Sequence, residues 1–202
     1  TEFNQAVFDE LNLHYSQRVW ERCAQYAIPL VYASSAATYG NGDLGYSDTD
    51  DALPFKLKPL NPYGESKNDF DKWALQRDAK PFFWAGLKFF NVYGPNEYHK
   101  GSMRSVVALN YDKIAAGEPL RLFRSYRPDY DDGQQKRDFV YVKDCVAVIR
   151  WMLDHDFAPG IFNIGSGRAA SWVELGEAMF AALNRLFEAN GHGFNSGRGP
   201  RR

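Results

Sequence analysis

The stretch IPLVYASS, Ile28–Ser35, decides the fold. It is a short apolar run that ends abruptly in small polar residues. Apolar side chains on both faces are the pattern of a buried strand in a parallel sheet. The strand is expected over Ile28–Ala33, with its C-terminal end opening into a loop at Ser34 and Ser35. In open parallel α/β sheets ligands bind at that end of the strands. The two serines therefore mark a candidate site.

Helical and strand patterns alternate outward from this run. Before it, Phe8, Leu11, Tyr15, Val19 and Cys23 recur at helical spacing, predicting a helix over Phe3–Ala27. After it comes a loop rich in Gly, Asp and Pro (Asp43–Pro62), then a helix over Tyr63–Asp78. FFWAGLKFFNVYGP predicts a second apolar strand ending at Asn91, before a turn at Gly94 and Pro95. A helix over Met103–Ala116 follows, then short strands at PLRLF and DFVYV, a helix over Lys143–His155 and a strand at GIFNIG. Ser171 and Glu174 in SWVE form a capping-box pattern that starts a last helix running to about Leu183. Residues 184–202, rich in Gly, Asn and Arg, read as a disordered tail. The alternation argues for an α/β fold with a mostly parallel, doubly wound sheet.

Bulk composition excludes several classes. The chain has 202 residues, enough for one domain with a core, and 24 Lys+Arg against 25 Asp+Glu. That balance gives no electrostatic case for nucleic acid or an anionic membrane. Cys23 and Cys145 have no CxxC or Cys/His spacing, so they read as reduced, buried thiols of a cytoplasmic protein, with no metal site. No apolar run approaches the ~20 residues of a membrane span. GSG, Gly165–Gly167, lacks the spacing of a phosphate loop and reads as a tight turn after a strand.

In LNPYGESKNDFD, Leu60–Asp71, Tyr63 and Lys67 are four residues apart, on one face of the expected helix. A lysine ammonium beside a phenol favours the phenolate, which lets a tyrosine act as a general acid or base near pH 7. Ser34 or Ser35 would supply a hydroxyl to hold a substrate oxygen. Taken alone, the pair reads more readily as a solvated helix surface.

Four stretches in order carry a resemblance: YASSAATYG, NPYGESK, LKFFNVYGP and RDFVYVKD. Together they resemble the extended short-chain dehydrogenase/reductase superfamily over about Asn12–Leu183. The resemblance implies a Rossmann-like fold, present here as the C-terminal part of the cofactor domain with part of a small substrate domain. It implies Tyr63 as general acid/base, Ser35 on the reacting oxygen, and Lys67 tuning Tyr63 and binding the nicotinamide ribose.

Within that superfamily, NVYGPNEYHKGSM is similar to the epimerases that invert C6″ of an ADP-linked manno-heptose, a lipopolysaccharide precursor. That likeness implies oxidation to a ketone with bound NADP (NAD being the alternative) and reduction on the other face. Lys100 would be a second proton donor beside Tyr63. Asn91 and Ser102 would contact the sugar, and Val92 and Asn12 the cofactor. Arg137 would clamp the pyrophosphate, and Phe123, Arg124, Ser125 and Tyr126 would line the nucleotide pocket. Leu109 stands where some members have a substrate-contacting His. The partners implied are a nucleotide sugar and, at full length, further copies in a homo-oligomer. No GxxGxxG turn occurs in the chain, which reads as a fragment of such an enzyme. A hexose 4-epimerase, a 4,6-dehydratase and an inactive fragment remain alternatives.

Overall fold

Pro29 sets where the first strand begins. Ile28 N still bonds back to Cys23 O of the preceding helix (2.9 Å), and Pro29 has no N–H to offer a ladder. In the computed structural model, which describes residues 4–122, 124–125 and 128–189, strand β1 therefore spans Leu30–Ser35. It starts two residues later than the sequence pattern suggested and includes both serines. β1 pairs in parallel with β2 (Trp84–Phe89), and β2 with β5 (Gly160–Ile164), in the order β1-β2-β5.

These strands belong to the first of two compact units, formed by the described residues up to Phe90 together with Cys145–Ile164. Its N-terminal helical segment runs from α1 (Gln5–Phe8) through a π-helical stretch (Asp9–His14) into α2 (Tyr15–Gln25). Helix α3 spans Pro62–Leu75. Asn61 caps it by accepting from Gly64 N at 2.8 Å, and Pro62 occupies the first turn, where no donor is needed. Helix α5 spans Val142–Asp154, and most of it lies in this unit. The core is aromatic: Trp20, Phe70, Ala74, Trp84 and Ile161 are buried together. Trp20 meets Trp84 and Phe70 edge to face, with ring centroids 5.1 Å and 6.2 Å away, and its indole N–H donates to Ala79 O at 3.0 Å.

The second unit is Asn91–Asp144 and the described residues from Gly165. Strands β3 (Asn91–Tyr93) and β4 (Lys136–Tyr141) pair in parallel, and β6 (Ala169–Ser171) pairs antiparallel to β4. Helices α4 (Val106–Ala115) and α6 (Trp172–Ala189) meet over Ile114, Leu120, Met179, Phe180 and Leu183. The capping box at α6 forms: Glu174 accepts from Ser171 N at 2.6 Å, and Ser171 Oγ accepts from Glu174 N at 3.1 Å.

The α/β class with parallel pairing matches the sequence reading, and four details are corrected. Among the described residues the strands form two three-stranded sheets rather than one. The second apolar run divides at Phe90, so β2 and β3 serve different sheets. The start of PLRLF forms no strand; Leu120 is buried as a loop side chain against the helices, which accounts for its apolar signal. The last helix continues past Leu183 to Ala189. Cys23 and Cys145 are buried thiols.

Truncating Trp20 to Ala removes the centre of the first core and is expected to lower stability by about 3–5 kcal/mol. A urea titration followed by circular dichroism measures it; an unchanged midpoint contradicts this account of the core.

Candidate active site

Tyr63 lies in the first turn of α3, about one-third exposed (36%). Its neighbour Gly64 explains the approach of the helix to the loop after β1. A methyl group at Gly64 would stand 2.8 Å from Ala37 O and 3.0 Å from Pro59 Cβ. Only glycine lets the first turn of α3 seat against that loop. Phe8 covers the Tyr63 ring edge to face, with centroids 6.1 Å apart. Asn12, in the π-helical stretch, donates to Ser66 Oγ at 3.0 Å, and Ser66 donates to Tyr63 O at 2.8 Å. The N-terminal segment is thereby pinned to the turn that carries Tyr63.

Lys67 lies one helical turn further on. Its Nζ is 5.9 Å from the centroid of the Tyr63 ring and donates to Ala33 O at 2.8 Å. That carbonyl belongs to the C-terminal half of β1. Burial lowers the Lys67 pKa from its ordinary value, and the Asp71 carboxylate partly offsets this.

The two serines have different fates, because neighbouring side chains on a strand point to opposite faces. Ser34 is buried and donates to Asp71 Oδ2 at 2.7 Å. Ser35 begins the 3₁₀ turn Ala36–Tyr39, and its Oγ accepts from Ala37 N at 3.1 Å. An oxygen that accepts a backbone N–H keeps its own hydrogen to donate. The first unit thus brings Tyr63, Lys67, Ser35 and Asn12 to one region.

The second unit holds the remaining expected residues. Lys100 lies in the 3₁₀ segment Tyr98–Met103, half exposed, with Nζ 3.7 Å from Glu97 Oε2. The next residue, Gly101, has φ of 56°, a left-handed conformation that suits glycine. Exposed Ser102 follows it. Asn91 and Val92 lie on β3, paired with Phe139 and Val140 of β4. Arg137 is on β4, exposed, and donates to Lys136 O at 2.7 Å. Ser125 N donates to Asp132 Oδ1 at 2.7 Å, and Arg124 is exposed. Phe123 and Tyr126 lie outside the described residues. The GSG turn is filled by the chain itself: Asp138 accepts from Ser166 N, Ser166 Oγ and Gly167 N at 2.7–2.8 Å.

Sequence reasoning missed three buried charged residues. Glu97 is 6% exposed and accepts from Ser105 N (2.7 Å), Ser105 Oγ (2.8 Å) and Gly94 N (3.1 Å). Burial pushes its carboxyl pKa up, but these hydrogen bonds and Lys100 outweigh it and hold the group below the ordinary range. Asp71 and Lys88 form an ion pair at 2.9 Å with side chains 0% and 2% exposed. One sequence signal was present: a lone lysine inside the apolar run FFWAGLKFF needs a buried partner.

An open cavity of about 620 Å³ lies at the other end of the first sheet, lined by Leu75, Lys80, Phe82, Trp84 and Gly160 among others. None of the expected site residues lines it. Among the described residues, no helix is long and apolar enough to cross a membrane, and no cluster of His, Cys, Asp and Glu is placed to hold a metal ion.

A model of the NAD dependent epimerase/dehydratase family matches residues 3–165. The chain is 53% identical over 176 residues to the ADP-L-glycero-D-manno-heptose-6-epimerase of Nitratidesulfovibrio vulgaris strain DP4, covering 87% of this chain and 54% of that protein. It superposes on the crystal structure of the Helicobacter pylori ADP-L-glycero-D-manno-heptose-6-epimerase with a TM-score of 0.73 at 28% identity, covering 91% of this chain and 55% of that one. Against the Thermus thermophilus UDP-glucose 4-epimerase in complex with NAD the TM-score is 0.63 at 25% identity, covering 96% and 56%. The chain spans about half the length of the curated relatives it matches.

Gly64→Ala is expected to lower stability by about 1–3 kcal/mol, because overpacking against Ala37 O exceeds the ~1 kcal/mol gain in helix propensity. Thermal denaturation measures this, and a raised midpoint contradicts the close approach. Because the Glu97 pKa is depressed in the folded state, its contribution is present above the ordinary glutamate pKa and is lost as pH falls through the folded value. Glu97→Gln should therefore flatten the acid limb of stability below about pH 4.5. Denaturant midpoints from neutral to acid pH test this; parallel curves for both proteins contradict it.

Proposed function

We propose a function from one premise: the chain belongs to the NAD dependent epimerase/dehydratase family. The function is epimerisation at C6″ of an ADP-linked manno-heptose, by transient oxidation and reduction of one carbon. The observation that carries it is Lys67, seated on Ala33 O at the C-terminal end of a parallel sheet with its ammonium 5.9 Å from the Tyr63 ring. Relatives named for ADP-heptose epimerisation support the choice of substrate. We take NADP as the cofactor, the cytoplasm as the compartment, a homo-oligomer as the full-length form and lipopolysaccharide precursor supply as the role.

The residues at hand fit the nicotinamide ribose end of a dinucleotide. A lysine ammonium has three donors, and the bond to Ala33 O leaves N–H groups for ribose hydroxyls. A dinucleotide held there by Lys67 would supply a hydride acceptor and donor for the sugar carbon. Tyr63 removes the hydroxyl proton as the carbon is oxidised from one face; in the reverse direction it donates the proton for reduction on that face. Ser35, its oxygen engaged by Ala37 N, turns its hydrogen toward the reacting oxygen and holds it. Inversion requires reduction on the other face as well, and Lys100 is the second proton donor. Asn91 and Ser102 contact the sugar, Val92 and Asn12 the cofactor, and Arg137, Arg124 and Ser125 the nucleotide end.

A second reading, a hexose 4-epimerase, is favoured by the likeness to the UDP-glucose 4-epimerase. Assay of ADP-, UDP- and dTDP-sugars separates the two: turnover confined to the ADP-heptose supports the first reading. In the full-length protein Tyr63→Phe is expected to lower kcat by about 10²–10⁴-fold, the usual contribution of one acid/base group. Turnover at the wild-type rate would remove Tyr63 from the mechanism.

A further inference from the structure

The buried pair Asp71–Lys88 is used by none of the steps above. Asp71 is on α3, one turn beyond Lys67, and its carboxylate is fully enclosed. Oδ1 accepts from Tyr32 OH at 3.1 Å, and Oδ2 from Ser34 Oγ at 2.7 Å and Lys88 Nζ at 2.9 Å. Ser34 and Lys88 are cross-strand partners on β1 and β2. Lys88 in turn donates to Thr38 Oγ1 at 2.6 Å and lies 4.8 Å from the centroid of the Tyr39 ring. Thr38 donates to Ser35 O at 2.9 Å. An unbroken chain of polar contacts therefore runs from α3 through both strands to the turn that carries Ser35.

The surroundings fix the donor and acceptor roles along this chain. Burial, and then the Asp71 carboxylate, push the Tyr32 phenol well up, so it stays a neutral donor. Burial also pushes the Tyr39 phenol up to about 12, and it donates to Asn163 Oδ1 at 2.8 Å. Each partner thus has a fixed role as donor or acceptor. A buried ion pair is weak evidence for stability, and its best-attested use is to specify one arrangement.

We propose that Asp71 is a positioning residue: through Ser34 and Lys88 it fixes both the Ser35 turn and the β1 carbonyl on which Lys67 rests. The proposal rests on the reading of Tyr63, Lys67 and Ser35 as the reacting set. Tyr63, Lys67 and Asp71 follow one another at intervals of four along α3, so one helix carries the reacting pair and its anchor. The anchor ties the helix to the two strands whose C-terminal ends form the site.

Asp71→Asn strands Lys88 as an unpaired buried cation and can unfold the protein. The deciding variant is therefore Asp71→Leu/Lys88→Met in the full-length protein, where apolar groups of similar size replace the pair. Two readouts are taken on the folded variant: hydrogen exchange of residues 36–40 by mass spectrometry, and kcat and KM for the ADP-heptose. The expected result is exchange faster by about tenfold or more. With it, kcat is expected to fall about 10²-fold while KM changes less than about threefold, the pattern of misplaced reacting groups. A folded variant with wild-type kcat overturns the proposal, whatever its exchange. If the wild-type protein turns over no ADP-heptose, the functional reading fails instead. Exchange then decides alone: faster exchange supports the positioning role, and wild-type exchange overturns it.

Discussion

The carboxylate of Asp71 and the ammonium of Lys88 are enclosed by protein at 2.9 Å, and the first unit is arranged around them. Neither charge tolerates burial without the other. Their pairing dictates that α3 lies across β1 and β2 with Asp71 facing Ser34 and Lys88. Given that contact, Lys67 lies within reach of Ala33 O, and Gly64 seats against Ala37. The aromatic core around Trp20 supplies the apolar driving force for the same packing but carries no comparable directional demand.

The second unit uses the same device on a smaller scale. Glu97 closes its loop by accepting from both ends, Gly94 and Ser105, with Lys100 beside it. In each unit an enclosed carboxylate orders a segment that carries a proposed proton donor. The two cases differ in what answers the charge: mainly backbone and hydroxyl donors for Glu97, an ammonium for Asp71.

Much of this was legible in the sequence where apolar periodicity and turn chemistry agree. Ile28–Ala33 read as a parallel strand, and one forms over Leu30–Ser35; SWVE read as a capping box, and its two bonds form. Tyr63 and Lys67 were legible as a pair because a helix brings residues four apart together. The buried polar face of α3 was not. Gly64, Asn68 and Asp71 are enclosed there and Ser66 on the opposite side, so apolar periodicity says little about which side of the helix packs. The division of FFWAGLKFFNVYGP between two sheets was hidden for another reason: an apolar run shows burial, not which partner strand completes it. β6, with three small residues, is too short to give any pattern. Residue chemistry alone left Ser34 and Ser35 open and the resemblance implied Ser35; what the sequence did not show is that Asp71 engages Ser34.

The central claim is that a hydride leaves one sugar carbon and returns to it while Tyr63 and Lys100 handle only protons. Epimerisation by the full-length protein of an ADP-heptose carrying deuterium at C6″, followed by mass spectrometry and NMR of the product, tests it most directly. The account predicts an inverted C6″ that keeps its deuterium. Replacement of that deuterium by solvent hydrogen during turnover would mean that the carbon is deprotonated, and would contradict the account.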